Sequence, residues 1–136
     1  MNDALQPDAL SIHRTLVTLD THIDIPWPTG PDPFQDGTRK VDLPKMLRGG
    51  LSAGCFVAYV PQATRTPGSE DAAYGRALAM LDHINRMAHT PSPIRVRLAA
   101  SAGAIEAAKQ DGAVAIVPCV ENGFAIGADL SRIAAF

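Results

Sequence analysis

Leu16-Val17-Thr18-Leu19-Asp20-Thr21-His22-Ile23-Asp24-Ile25-Pro26-Trp27 reads as a strand over Leu16 to Ile25 that ends in polar groups able to do chemistry. In an extended chain, residues i and i+2 face the same side, roughly 6–7 Å apart. His22 and Asp24 can therefore converge on one ion, and Asp20 shares their face by parity. Pro26, Pro28, Gly30, Pro31 and Pro33 follow within eight positions, a density of breakers that excludes regular structure and predicts a long surface loop. Loops after strands are where active sites are built.

Beyond this strand the periodicity alternates between short apolar runs and helical stretches, the pattern of βα units around a parallel sheet. Upstream, Asp8 to Arg14 is expected to be a short helix, with Pro7 compatible with its start. Downstream, Asp42 to Arg48 reads as a brief helix stopped by Gly49-Gly50, and Leu51 to Val60 as a second strand ending at Pro61. Ser69 is the expected N-cap of a long helix, with Glu70 and Asp71 in its first turn. Its apolar stripe runs through Tyr74, Leu78, Leu81, Ile84 and Met87 to about His89, before Thr90-Pro91-Ser92-Pro93 ends it. Such a stripe is core packing. Ile94 to Ala100 is a third strand, Ser101 caps a helix through Gln110 with Gly112 after its end, and Ala113 to Val120 is a fourth strand. Asp129 to Phe136 begins an amphipathic helix through Leu130, Ile133 and Ala134.

Composition limits the classes that fit. The 136 residues, 46% of them hydrophobic, with mean hydropathy near zero, describe one ordinary globular domain. A formal charge of −2 and a pI near 6.0, with Lys and Arg scattered, give no basic surface for nucleic acid. Met1 to Asp8 has no basic region leading into an apolar segment, and no later run approaches membrane-spanning length. These features predict a cytoplasmic chain without a membrane segment, and leave homo-oligomerisation open. Cys55 and Cys119 lie in apolar strand-like runs and form no zinc-knuckle spacing, so buried structural thiols are expected.

Glu121 is the second decisive residue. It follows the run Ala115-Ile116-Val117-Pro118-Cys119-Val120 and precedes Asn122-Gly123. Charge at the C-terminal end of a parallel strand stands on the face where α/β barrels place their chemistry, the face expected for His22 and Asp24. A carboxylate can bridge two cations, which then share a water whose pKa falls because two positive charges stabilise the anion. Asn122-Gly123 fits a plain turn after the strand as well as a part of the site. Trp27 and Pro26 fit either a pocket wall or simple packing. His13, His83 and His89 fall on helical stretches and are expected to be solvated or capping.

The segments Asp20 to Trp27, Val41-Asp42-Leu43-Pro44 with Gly49-Gly50-Leu51-Ser52-Ala53-Gly54, and Val120-Glu121-Asn122-Gly123 together resemble the membrane dipeptidase (renal dipeptidase) family of zinc peptidases, in order and in spacing. The resemblance runs from about Leu16 to Phe136 and corresponds to the N-terminal third of a family member. It implies an α/β fold, the first three to four βα units of a (β/α)8 TIM-type barrel, and a binuclear Zn2+ site that hydrolyses dipeptides. His22 and Asp24 would be ligands of one zinc, and Glu121 the catalytic carboxylate that bridges both, holding a hydroxide for attack on the scissile carbonyl. Asp20 is not a ligand in the family pattern, and would orient His22 or cap a neighbouring backbone group. A His-x-His pair would mark the amidohydrolase-type barrels instead, and Asp24 favours the dipeptidases.

A full barrel needs about 250 residues, so residues 1–136 are expected to form an incomplete N-terminal part of one barrel domain. The family's two later histidine ligands and its substrate-contacting histidine and arginine have no counterpart here. The expected function is that of an N-terminal fragment of a zinc dipeptidase, itself of negligible activity. The alternative is a degenerate inactive fragment, or a half-barrel module completed by a partner.

Overall fold

The computed structural model describes residues 6–24 and 30–136. Ile25, Pro26, Trp27 and Pro28 lie outside the described residues, and with them the pocket and packing readings of Trp27. In chain order the elements are α1 (Gln6–Thr15), β1 (Leu19–Asp24), α2 (Leu43–Gly49), β2 (Ala53–Tyr59), α3 (Pro67–Met87), β3 (Val96–Leu98), α4 (Ala102–Gln110), β4 (Val114–Glu121) and a 3-10 turn η1 (Leu130–Ala135). The four strands form one parallel sheet alternating with helices, the arrangement of part of a (β/α)8 barrel.

Strand order is β1-β2-β4-β3, where pairing in chain order would give 1-2-3-4. The three long strands are contiguous, and β3 adds three residues that pair only with Val114, Ala115 and Ile116 of β4. This order decides which helix covers which face. The β2-α3-β3 connection moves outward past the place of β4, and β3-α4-β4 steps back. Parallel crossovers are right-handed, so reversing the direction of travel puts α3 and α4 on opposite faces.

Packing agrees with that rule. Phe56 and Ala58 of β2 and Val114 and Ile116 of β4 meet Leu43 and Met46 of α2 and Met80, Leu81, Ile84 and Met87 of α3 in the main core. Fully burying a side chain such as Phe56 or Ile84 contributes about 1.5–3 kcal/mol. The alternate residues Ala53, Ala115 and Val117 meet Ala104, Ile105 and Ala108 of α4. Here alanines let the helix approach closely, and α4 closes the N-terminal end of this second face. By strand alternation Tyr59, Cys119 and Glu121 continue that second face toward the C-terminal end.

Helix ends follow their capping residues. Asp42 caps α2 through the Lys45 N–H at 2.9 Å, and Gly50, at φ +71°, ends it in the left-handed region. The Nε2 of His13 lies 2.9 Å from the Gly49 carbonyl oxygen, so His13 is the capping residue expected of it. For α3 the cap is Thr66, not Ser69. Thr66 and Ser69 form a reciprocal capping box, and Pro67 at the first helical position supplies a φ already set for the helix. The buried stripe of α3 is centred on Ala73, Ala77, Met80, Leu81, Ile84 and Met87, which leaves Tyr74 and Leu78 half-buried at its margin.

The final segment differs most from expectation. It is a 3-10 turn that buries none of its residues, with Leu130 72% and Ile133 55% exposed. Polar and aromatic contacts hold it to α3 instead. Arg132 pairs with Asp71 and stacks 4.7 Å over the Tyr74 ring, Phe136 meets that ring edge-on at 5.7 Å, and the Ala128 N–H donates to Glu70 at 3.1 Å. Among the described residues no helix is long and apolar enough to cross a membrane.

Candidate metal centre

His22 and Asp24 reach their positions through an irregularity in β1. Leu19 pairs with Ala53 and Asp20 with Gly54, but Ile23 pairs with Phe56 and Asp24 with Val57, so one extra residue is accommodated between Asp20 and Ile23. Such a bulge reverses the alternation of everything after it. Without it, Ile23 would share a face with Ala53, and His22 and Asp24 would point into the core under α2 and α3. With it, Ile23 is buried in that core and Asp24 stands level with Val57 on the second face.

Two residues support the bulge. Asp20 Oδ1 accepts the His22 backbone N–H at 2.9 Å, so Asp20 caps a backbone group inside the irregular turn. By register it lies on the face opposite Asp24, which corrects the parity argument. Gly54 supplies the room. A Cβ there would sit 2.5 Å from Ile23 Cδ1, 3.1 Å from Phe56 Cε1 and 3.3 Å from Met46 Cε.

Glu121 arrives by regular alternation. β2 and β4 pair without interruption from Ala53↔Ala115 to Tyr59↔Glu121, which makes Glu121 the last residue of its strand. Directly after it, Asn122 takes φ +62°, a left-handed conformation that asparagine tolerates better than most residues. Its side-chain amide donates to the Val60 carbonyl at 3.0 Å, and its Oδ1 accepts the Phe124 N–H at 2.9 Å. The turn reading of Asn122-Gly123 thus holds, and the turn locks the ends of β2 and β4 together beside Glu121.

Three side chains converge as a result. His22 Nε2 is 3.3 Å from Glu121 Oε2 and 3.6 Å from Asp24 Oδ1, and one donor atom from each residue lies within 4.8 Å of the others. Two donors each about 2.0–2.1 Å from a tetrahedral zinc ion stand roughly 3.3–3.4 Å apart, close to the separations of His22 from Glu121 and from Asp24. Their side chains are 51%, 73% and 40% exposed for His22, Asp24 and Glu121, which leaves the cluster open to solvent and ligand. Asp20 is not part of it.

A cleft of about 430 Å³ opens at the cluster, with Val57, Tyr59, Arg76 and Met80 completing its wall. None of these four was singled out from sequence. The apolar stripe read from the sequence passes over Met80, and nothing local marks Arg76. On the other side of His22 and Asp24 lies a second cavity of similar size, bordered by Arg39, Lys40 and Val41. Arg39 Nη2 donates to the Asp24 backbone carbonyl, and its Nε donates to the Val41 carbonyl at 3.1 Å. Burial draws the Arg39 guanidinium below its ordinary pKa, opposed by the charges of Asp42 and Asp24.

The loop that carries Arg39 is itself anchored. Asp42, only 2% exposed, accepts the Gly37 N–H at 3.2 Å and pairs with the Lys45 ammonium, which also donates to the Gly37 carbonyl at 2.7 Å. Burial pushes the Asp42 carboxyl up, but the Lys45 ammonium and the two N–H donors outweigh it and hold the group below the usual carboxylate range. Asp36 joins the network through Arg48 at 2.7 Å and Lys45 at 3.2 Å, and Arg48 first, then Lys45, lowers its pKa.

The two thiols depart from expectation. Cys55 and Cys119 are free and only half-buried, because α4 covers the second face no further than Val117. Burial pushes the Cys119 thiol up to about 11, and neighbouring Cys55 pushes it the same way. His83 is half-buried on α3, its Nε2 without a hydrogen-bond partner among the described residues, and desolvation lowers its pKa.

The relationship to known proteins is consistent. The probable dipeptidase PvdM from Pseudomonas aeruginosa matches 99% of this chain with a TM-score of 0.85 at 25% identity, over 35% of its own length. The dipeptidase AC, a metallopeptidase of family M19, matches 90% of the chain with a TM-score of 0.68 at 27% identity, over 41% of its length. A metallopeptidase from Rhodobacter sphaeroides, solved with a phosphinate mimic of the dipeptide L-Ala-D-Ala, matches 98% with a TM-score of 0.60 at 25% identity, over 39% of its length. The chain therefore spans well under half of each of these proteins. No match was found among curated proteins. The membrane dipeptidase (peptidase family M19) profile matches residues 7–136, nearly the entire chain, and the chain belongs to that family.

Proposed function

We propose that His22, Asp24 and Glu121 are the metal-holding residues of a dipeptidase site, the part of a zinc-dependent hydrolase contributed by residues 1–136 of a single barrel domain. The observation that carries this reading is the convergence of one imidazole nitrogen and two carboxylates within 4.8 Å at the C-terminal ends of β1 and β4, the parallel strands on either side of β2. His22 and Asp24 would hold one Zn2+, and Glu121, with two oxygens, can be shared with a second. When bound, such ions polarise the scissile carbonyl and make a water nucleophilic at neutral pH.

The chain's own groups do the rest. Val57 and Met80 give the cleft an apolar wall, and Tyr59 and Arg76 give it polar groups for a charged substrate. A dipeptide carries a carboxylate, which a guanidinium can take in a bidentate fashion. The substrate class follows from family membership, and the phosphinate-bound relative makes L-Ala-D-Ala the first substrate to try.

Zinc titration of the metal-stripped chain, paired with an assay of alanine release from L-Ala-D-Ala, tests the reading. Weak zinc uptake is expected, because three donors do not fix two ions, with turnover negligible for the same reason. His22→Ala and Glu121→Gln should each weaken zinc uptake at least tenfold. Uptake unaffected by either substitution would overturn the assignment.

A further inference from the structure

Asp24 ends a strand whose outer edge pairs with no other strand among the described residues, since β1 hydrogen-bonds only to β2. A ligand in that position would fray with its strand. The Arg39 side chain makes contact at that edge. The Arg39 fork donates from Nη2 to the Asp24 carbonyl and from Nε to the Val41 carbonyl at 3.1 Å, joining the end of β1 to a loop that buried Asp42 pins to α2. The fork spends its fixed geometry on two backbone oxygens at once, something a single ammonium cannot reproduce.

We propose that Arg39 is a positioning residue for the metal site: it fixes the backbone of Asp24, and through it the distance from the Asp24 carboxylate to His22 and Glu121. This rests on the reading of those three residues as metal donors. Arg39 is half-buried, its hydrogen bonds go to main-chain oxygens and, among the described residues, none reaches a donor atom of the cluster, although the Asp24 charge acts on its guanidinium. Removing it takes away neither a ligand nor a buried apolar group, so metal affinity should suffer more than the fold.

The test compares the parent chain with Arg39→Gln, Arg39→Lys and His22→Ala. Zinc affinity is read by competition with a chromophoric chelator, and amide hydrogen exchange at Ile23 is read in metal-free protein. Loss of a group that orients a ligand typically weakens metal binding about 10–100-fold. Arg39→Gln is expected to fall in that range, to speed Ile23 exchange, and to leave the metal-free melting temperature within a few degrees of the parent, while Arg39→Lys recovers part of the affinity. Arg39→Gln binding zinc as the parent does, while His22→Ala loses it, overturns the positioning role and spares the donor assignment. An affinity loss that only tracks a large fall in melting temperature, with Arg39→Lys no better than Arg39→Gln, overturns it too. Parent and His22→Ala binding zinc equally overturns the donor assignment itself, and the positioning role with it.

Discussion

β1 and β4 both deliver a side chain to the same cluster, by opposite means. β4 is an inner strand, its pairing with β2 runs uninterrupted over seven positions, and Glu121 stands where simple alternation from Ala115 puts it. β1 is an outer strand carrying a one-residue irregularity, and His22 and Asp24 face the cluster only because that irregularity reverses the alternation. A regular strand inside a sheet places a residue by its number. A bulged strand at the edge places it by local contacts, here Asp20, Gly54 and Arg39, and is correspondingly easier to disturb.

The strongest way to break this comparison is at Gly54. Gly54→Val would drive its methyl groups into Ile23, Phe56 and Met46, and overpacking of this kind costs about 2–3 kcal/mol. A melting temperature unchanged from the parent would show that β1 can shift without loss, against the view that its register depends on this gap.

Next in size is the loop that backs β1. Asp36 and Asp42 of this loop, like Glu70 of α3 and Asp129 before η1, have pKa values below their ordinary ones in the folded state. A carboxyl of that kind stabilises the fold fully above its unfolded pKa of about 4, and the contribution disappears as pH falls through the lower folded value. The carboxylate contribution should therefore hold from neutrality to roughly pH 5 and decline toward pH 3, while His83, whose pKa is lowered by burial, adds a loss that begins as pH falls below about 6.5. Asp42→Asn removes the buried member, and is expected to cost about 1–3 kcal/mol at pH 7 and to flatten the acid decline. An acid profile identical to the parent's would show that Asp42 has no part in it.

Smaller effects sharpen the contrast between the strands. Asp20→Ala removes the acceptor of the His22 N–H and should cost about 1 kcal/mol while weakening zinc binding through β1. Ser101→Ala removes the N-cap of α4, which packs beneath β4, and should cost about 0.5–1 kcal/mol with zinc affinity unchanged. Equal effects of the two changes on zinc affinity, measured at matched stability, would remove the distinction between the strands.

Much of the fold was legible because it rests on local rules. Ser101 caps the helix expected of it, Asp42 stands at the start of α2 as its N-cap rather than its first helical residue, Gly50 ends α2 in the left-handed region, and the apolar runs become parallel strands. The start of α3 was misread because Ser69 and Thr66 are both good caps, and the adjacent Pro67 selects between them. The last segment was misread because helical spacing at Leu130 and Ile133 suggested a buried stripe where Arg132 and Phe136 make the attachment.

For the cluster, the sequence by itself singled out the three proposed donors, a His-x-Asp pair and a strand-end glutamate, from residue type and order alone. It also determined the alternation of strands and helices, which follows from apolar periodicity. Tertiary structure alone decided which face each donor meets, because a single extra residue in β1 inverts every later side chain and only pairing with β2 reveals it. It decided as well that Arg39 stands behind Asp24 and Arg76 across from it. Residues distant along the chain become neighbours only through the packing of α2 and α3 on one face of the sheet.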